Sequence, residues 1–388
     1  MKNLRQELEQ RQQQGLYRRR KLMQSPQGRE IIIDGQSLLN FCSNDYLDLA
    51  NHPEVKKAFI AAAQQYGVGS GAAHLVNGHC KLHQQLEEEL ADFCGYPRAL
   101  LFSTGYMANL AVAQSLCGRG DSIIEDKLNH ASLLDAAQLS GGKLVRYQHA
   151  DYNSLQAQLE NCRSNNANEI LVSSDAVFSM DGDEANIKSM VQHCKQHDAW
   201  LMLDDAHGLG VLGDHGRGSL SHQVVTPQQV PIYMATLGKA MGTAGAFVAA
   251  SEDLVEYLIQ TARSYIYTTA MPAAIAAASI ASLNILREND SKQQALLHNI
   301  ILFKRLAQQN QITLMPSDTA IQPILIGRAD QTLQLSQQLF NKGFHIAAIR
   351  PPTVPKNTAR LRITLRADHT EKDLKSLINT LSDLLQTI

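Results

Sequence analysis

Trp200-Leu201-Met202-Leu203-Asp204-Asp205-Ala206-His207-Gly208 is the stretch that decides the fold. Four apolar residues run without a break into two carboxylates, a histidine and a glycine. A short apolar run that stops on charge is the pattern of a strand buried on both faces. Four more runs of this kind, Ala99–Phe102, Ser122–Glu125, Ile170–Ser174 and Ile232–Thr236, lie on either side of it. Each is followed by a segment of helical period. Leu82, Leu86, Leu90 and Phe93 recur at helical spacing, and Gly95 stands where a C-terminal cap belongs. Strands alternating with helices predict an α/β fold, a mostly parallel sheet covered by helices. Residues 244–251 add a candidate antiparallel strand.

Outward from this centre the pattern changes twice. Residues 1–40 read as an arm, a polar helix and connector followed by a hairpin whose two apolar runs flank Asp34-Gly35. From about residue 289 to 388 the chain reads as a smaller α+β unit. It has a helix around Ala295–Gln308, strands near Ile321–Ile326 and Leu361–Leu365, and a last helix opened by a capping box from Thr370 to Asp373. Leu374, Leu377, Ile378, Leu381 and Leu385 form that helix's apolar face. Residues 41–288 make the large domain.

The 388 residues are 44% hydrophobic and carry 35 Lys and Arg against 37 Asp and Glu, so no basic excess marks a nucleic-acid or membrane partner. No stretch has the length of a membrane span, and the polar start has no secretory core. The six cysteines form no Cys-x-x-Cys pair and are expected to be reduced, in a cytoplasmic protein.

In an open α/β sheet the reactive residues lie past the carboxyl ends of the strands. Lys239 follows the run 232–236 between Gly238 and Gly242, where a desolvated amine can form an imine. A lone lysine is more often a solvated surface charge. Asp204 and His207 suit a metal pair, a catalytic dyad or a cofactor clamp, and a strand-end aspartate also caps helices. With His130 they lack the spacing of a metal set, and Ser70 in Gly67–Gly71 follows no strand as a hydrolase serine should. Thr104-Gly105-Tyr106 opens a helix, where free amides bind an anion. It lacks both the Walker lysine and Gly-x-Gly-x-x-Gly. An imine lysine, an aspartate for a pyridinium nitrogen and a helix start for a phosphate together fit a pyridoxal phosphate site.

Seven motifs then occur in order: Ser43-Asn44-Asp45-Tyr46-Leu47, Gly69-Ser70-Gly71, His83 to Glu87, Asn129-His130-Ala131-Ser132, Phe178 to Asp183, Asp204 to Gly208, and Thr236-Leu237-Gly238-Lys239. The series resembles the α-oxoamine synthases, fold-type I pyridoxal phosphate enzymes that join an amino acid to an acyl thioester with loss of carbon dioxide. The stretches Ala348 to Pro355 and Thr358 to Arg362, with Ala320 to Pro323, resemble the branch that condenses L-alanine with a pimeloyl thioester in biotin biosynthesis. The rival branches join glycine to acetyl-CoA or succinyl-CoA, and residues 351–355 argue against both.

The resemblance implies specific roles. Lys239 carries the cofactor and acts as base, Asp204 pairs with the ring nitrogen, His207 and Ser179 meet the ring oxygen, and His130 stacks on the ring and meets substrate. Gly105, Tyr106 and Thr236 hold cofactor groups including the phosphate, which Thr268 and Thr269 reach from the other subunit of a homodimer. Arg362 clamps the amino acid's carboxylate, and Arg18 and Thr353 lie by the acyl substrate, pimeloyl-CoA or pimeloyl-acyl carrier protein. Three residues depart from the family pattern: Asp48 where glycine is common, Asp205 for a glutamate expected to matter little, and His74 where relatives with other substrates have arginine.

Overall fold

Asp34 and Gly35 both take positive φ, 49° and 79°, the conformation that a two-residue hairpin turn demands. They join β1 (Glu30–Ile33) to β2 (Gln36–Asn40) as the sequence predicts. The computed structural model describes residues 2–14 and 16–386; residues 1 and 15 of the expected arm lie outside it. The chain divides into two units, one of residues 1–48, 180–183 and 294–388, the other of residues 49–179 and 184–293.

The second unit is built on seven strands: β3 (Arg98–Phe102), β4 (Ser122–Asp126), β5 (Lys143–Tyr147), β6 (Ile170–Asp175), β7 (Trp200–Asp204), β8 (Ile232–Thr236) and β9 (Ala246–Ala250). Their order is β3-β9-β8-β7-β6-β4-β5. All are parallel except β9, which runs antiparallel to both β8 and β3. Two reversals restore direction, so β3 ends on the same edge of the sheet as β4, β6, β7 and β8. The five predicted strands and the antiparallel candidate are all present. β5 was not expected: at one edge of the sheet, it is exposed or half-buried except at Tyr147 and has only Leu144 and Val145 between charged residues.

Helix Gly105–Leu116 lies on one face of this sheet through Ala108, Ala111 and Val112, small residues that let its backbone approach Leu100, Ile123, Met202 and Met234. Burial of one such valine contributes about 1.5–3 kcal/mol. The helix foreseen from Leu82 to Phe93 spans Lys81–Cys94 and ends on Gly95 in the left-handed conformation.

In the first unit β1 and β2 are joined by β11 (Phe344–His345), parallel to β2, while β10 (Ile321–Gly327), β13 (Ala359–Thr364) and β12 (Ala347–Ile349) form an antiparallel sheet. The last helix, Glu371–Leu385, has the expected capping box, but its apolar stripe ends on the buried Leu384 and leaves Leu385 half-exposed. All six cysteines are free. No described helix is long and apolar enough to cross a membrane.

Candidate active site

Parallel register sets Asp175 of β6 directly beside Asp204 of β7, two buried carboxylates at one height on one sheet edge. Both cannot keep a full charge there. Asp204 accepts from the Asn109 side-chain amide at 2.9 Å and from the Ala206 amide at 3.0 Å, so each of its oxygens already faces an N–H. Asp175 accepts the His130 amide at 2.6 Å; burial, with the charge of Asp204 added, drives its pKa well up. Of the two, Asp204 is the carboxylate with an N–H donor on each oxygen.

His130 precedes helix Ala131–Ser140 and caps it: its Nδ1 accepts the Ser132 amide at 3.2 Å and lies 2.7 Å from the Ser132 hydroxyl. The imidazole is otherwise exposed, as a stacking surface has to be. Desolvation holds its pKa below the usual histidine range; Asp204 opposes the shift and Lys239 adds to it. Lys239 lowers the pKa of Asp175 by the same through-space route. The structure thus brings Lys239, His130, Asp204 and Asp175 into one electrostatic cluster.

Lys239 lies half-buried three residues past β8. Gly242, one turn on, has φ 67°, and a Cβ there would lie 2.4 Å from the Ala50 nitrogen. Its role is close backbone packing rather than space beside the lysine. The Thr236 hydroxyl donates to the Gly245 carbonyl at 2.9 Å and accepts the Gly238 amide at 3.2 Å, which fixes the loop that carries Lys239. His207 is buried in the turn after β7. Asp205 is a hub rather than a bystander: it accepts from the Ser219 amide and hydroxyl at 2.7 and 2.6 Å and from the Tyr233 hydroxyl at 2.8 Å. Burial raises its pKa to about 6. Ser179 is half-buried beside Phe178.

The helix after β3 begins with free amides. Thr104 caps it through Met107, and helix geometry leaves the Gly105 and Tyr106 amides without an intrahelical acceptor. A Cβ on Gly105 would meet Met234 at 3.6 Å and Ala246 at 4.0 Å, ordinary contacts, so packing does not require the glycine. The Tyr106 side chain points elsewhere, to Asp135. Thr268 and Thr269 follow helix Arg263–Ile266, and the Thr269 carbonyl accepts from Ser103 of the same chain at 3.4 Å. Free helix-start amides, a buried aspartate, an exposed histidine and a lysine past adjoining strand ends fit pyridoxal phosphate.

The remaining predicted residues belong to the first unit. Arg362, in β13, directs both terminal nitrogens at the Asn44 side-chain oxygen, at 3.2 and 3.3 Å. Arg18 and Thr353 come together at 3.5 Å on the surface. Sequence reading assigned no role to Asn109, Ser132 or Asp175, although Ser132 lies inside a quoted motif. Their signal was positional: Asp175 ends an apolar strand, and Asn109 follows Gly105 by one helical turn.

Residues 36–381 match the aminotransferase class I and II family. An 8-amino-7-oxononanoate synthase from Thioalkalivibrio sulfidiphilus is 53% identical over 381 residues, 98% of this chain and 97% of that protein. The chain belongs to the 8-amino-7-oxononanoate synthase family. A crystal structure of a family member from Francisella tularensis aligns with TM-score 0.78 at 32% identity, covering 90% of this chain and 98% of that one. A serine palmitoyltransferase from S. paucimobilis with bound PLP-myriocin aldimine aligns with TM-score 0.92 at 27% identity, over 99% and 97% of the two chains. As a member of the 8-amino-7-oxononanoate synthase family the chain is a pyridoxal phosphate-dependent acyltransferase of fold type I.

Proposed function

We propose that this chain condenses L-alanine with a pimeloyl (6-carboxyhexanoyl) thioester, giving 8-amino-7-oxononanoate, carbon dioxide and the free thiol. The observation that carries the reading is the cluster of Lys239, His130 and Asp204 on one sheet edge, beside a helix start with free amides. Pyridoxal phosphate, when bound, supplies an electron sink for a carbanion at the amino acid's α-carbon.

Asp204, whose two oxygens each face an N–H donor, would pair with the ring nitrogen and keep it protonated. His130 would cover the ring, and His207 and Ser179 would meet its phenolic oxygen. The amides of Gly105 and Tyr106 would hold the phosphate, with Thr236 once its hydroxyl turns from the Gly245 carbonyl, and Thr268 and Thr269 of the partner subunit would complete the site in a homodimer. Lys239 tethers the cofactor and takes the α-proton onto Nζ. Arg362 binds the amino acid's carboxylate as a planar fork. Arg18 and Thr353 bind the acyl substrate, carried by coenzyme A or an acyl carrier protein, in the cytoplasm. In this reading residues 41–288 are the cofactor domain and residues 289–388 the small domain.

Carboxyl-labelled L-alanine tests the coupling of the two steps. Labelled carbon dioxide should appear only when pimeloyl-CoA is added, one equivalent per thiol. Release without thioester would contradict the mechanism.

A further inference from the structure

Asn109 is 1% exposed and lies one turn inside the helix whose first amides face the phosphate site. Its side-chain nitrogen has two hydrogens and two acceptors, Asp204 Oδ2 at 2.9 Å and Ser132 Oγ at 2.8 Å. The carboxylate can only accept, so the amide nitrogen must face it. Ser132 Oγ, having accepted one hydrogen, has its own to give, and His130 Nδ1 stands 2.7 Å away. That nitrogen also takes the Ser132 backbone N–H at 3.2 Å. A ring nitrogen facing two donors carries no proton, so the imidazole is the neutral tautomer with its hydrogen on Nε2.

The fourth feature is a cost. Asn109 Oδ1 is buried with no hydrogen-bond partner. An amide kept only for packing is poorly matched to this place, since its unmet acceptor weakens the fold. What the residue provides is direction: donors on one side, toward Asp204 and Ser132.

We propose that Asn109 is a positioning residue of the condensation, tying the carboxylate that serves the ring nitrogen to the imidazole that covers the ring through Asn109 and Ser132. This rests on the reading of Asp204 and His130 given above. The chain of bonds runs Asp204, Asn109, Ser132, His130, and it joins the end of β7 to the segments that follow β3 and β4. Loss of the Asn109 donor makes Asp204 easier to protonate, and frees the Ser132 hydroxyl to turn from His130.

The test uses the pyridoxal phosphate-loaded enzyme with Asn109→Leu, which removes the donors at similar volume, and Asn109→Asp, nearly isosteric, which sets a second carboxylate against Asp204. Two quantities are followed against pH: cofactor retained after gel filtration, and kcat. The acid limb of both profiles should move up by about one pH unit in the leucine variant and further in the aspartate variant, with kcat down about tenfold or more. Ser132→Ala should be non-additive with Asn109→Leu. Unchanged acid limbs with lower stability would make Asn109 merely structural, and additive effects would break the chain at Ser132. If the wild-type chain retains no cofactor, the reading of the site itself fails, a result distinct from either.

Discussion

Glu87→Gln should make the protein more stable at neutral and alkaline pH, and the gain should vanish in acid. Glu87 lies on helix Lys81–Cys94, is 8% exposed, and accepts the Leu101 amide at 2.9 Å. Leu101 belongs to β3, the outer strand of the large sheet, whose outward N–H has no strand to pair with. The carboxyl meets that donor, three residues before Thr104, the cap of helix Gly105–Leu116. Burial raises its pKa from 4.5 to about 7, with the Leu101 amide and Arg98 acting the other way.

The folded chain therefore holds this proton at pH values where the unfolded chain has lost it. The associated stability is complete below the unfolded pKa of 4.5 and is lost as pH rises through about 7. At 1.36 kcal/mol per unit the full difference is about 3 kcal/mol above pH 7, and about 1 kcal/mol remains near pH 5. Glutamine keeps the acceptor for Leu101 and has no proton to lose. Urea unfolding of both proteins between pH 5 and 8 measures the gap. It should widen in favour of the variant by about 2 kcal/mol across that range. A gap independent of pH would show that Glu87 is ionised in the folded chain and refute the reasoning.

Three further outcomes follow from the geometry. Lys239→Ala should fold with its thermal transition little changed, lose at least about a hundredfold in turnover, and no longer be fixed to cofactor by borohydride. Arg362→Lys keeps the charge but not the fork that grips the Asn44 oxygen at 3.2 and 3.3 Å; KM for alanine should rise about tenfold while KM for the thioester holds. Thr370→Ala removes the capping hydroxyl that donates to Asp373 at 2.7 Å and accepts its amide at 3.2 Å, and should cost about 1 kcal/mol in urea unfolding.

How much could be read in the sequence depended on where the information lies. The buried strands β3, β4, β6, β7 and β8 announce themselves because both faces are apolar. β5 and the short β11 and β12 do not, since a mostly exposed strand or one of two or three residues has no apolar run to detect. Lys239, Asp204 and His130 stand at strand ends and were found there. Asn109 was missed because a helical asparagine carries no such punctuation, and only the fold shows that it faces Asp204.

The motif Ser43 to Leu47 was recognised without its purpose, which the first unit supplies. Asn44 and Tyr46 receive Arg362. The fully buried Arg366 is held by Asp45, Asp48 and Asp368. Asp48, where glycine was expected, keeps the positive φ of 56° that favours glycine, and its carboxylate lies 2.8 Å from Arg366. The departure is one of three carboxylate links to a buried cation rather than a changed turn.

Thiol release by the purified, pyridoxal phosphate-loaded protein tests the central claim most directly. Pimeloyl-CoA with L-alanine is set against acetyl-CoA and succinyl-CoA with glycine. Release with the pimeloyl and alanine pair alone is the expected result; release with a glycine pair and none with alanine would contradict it.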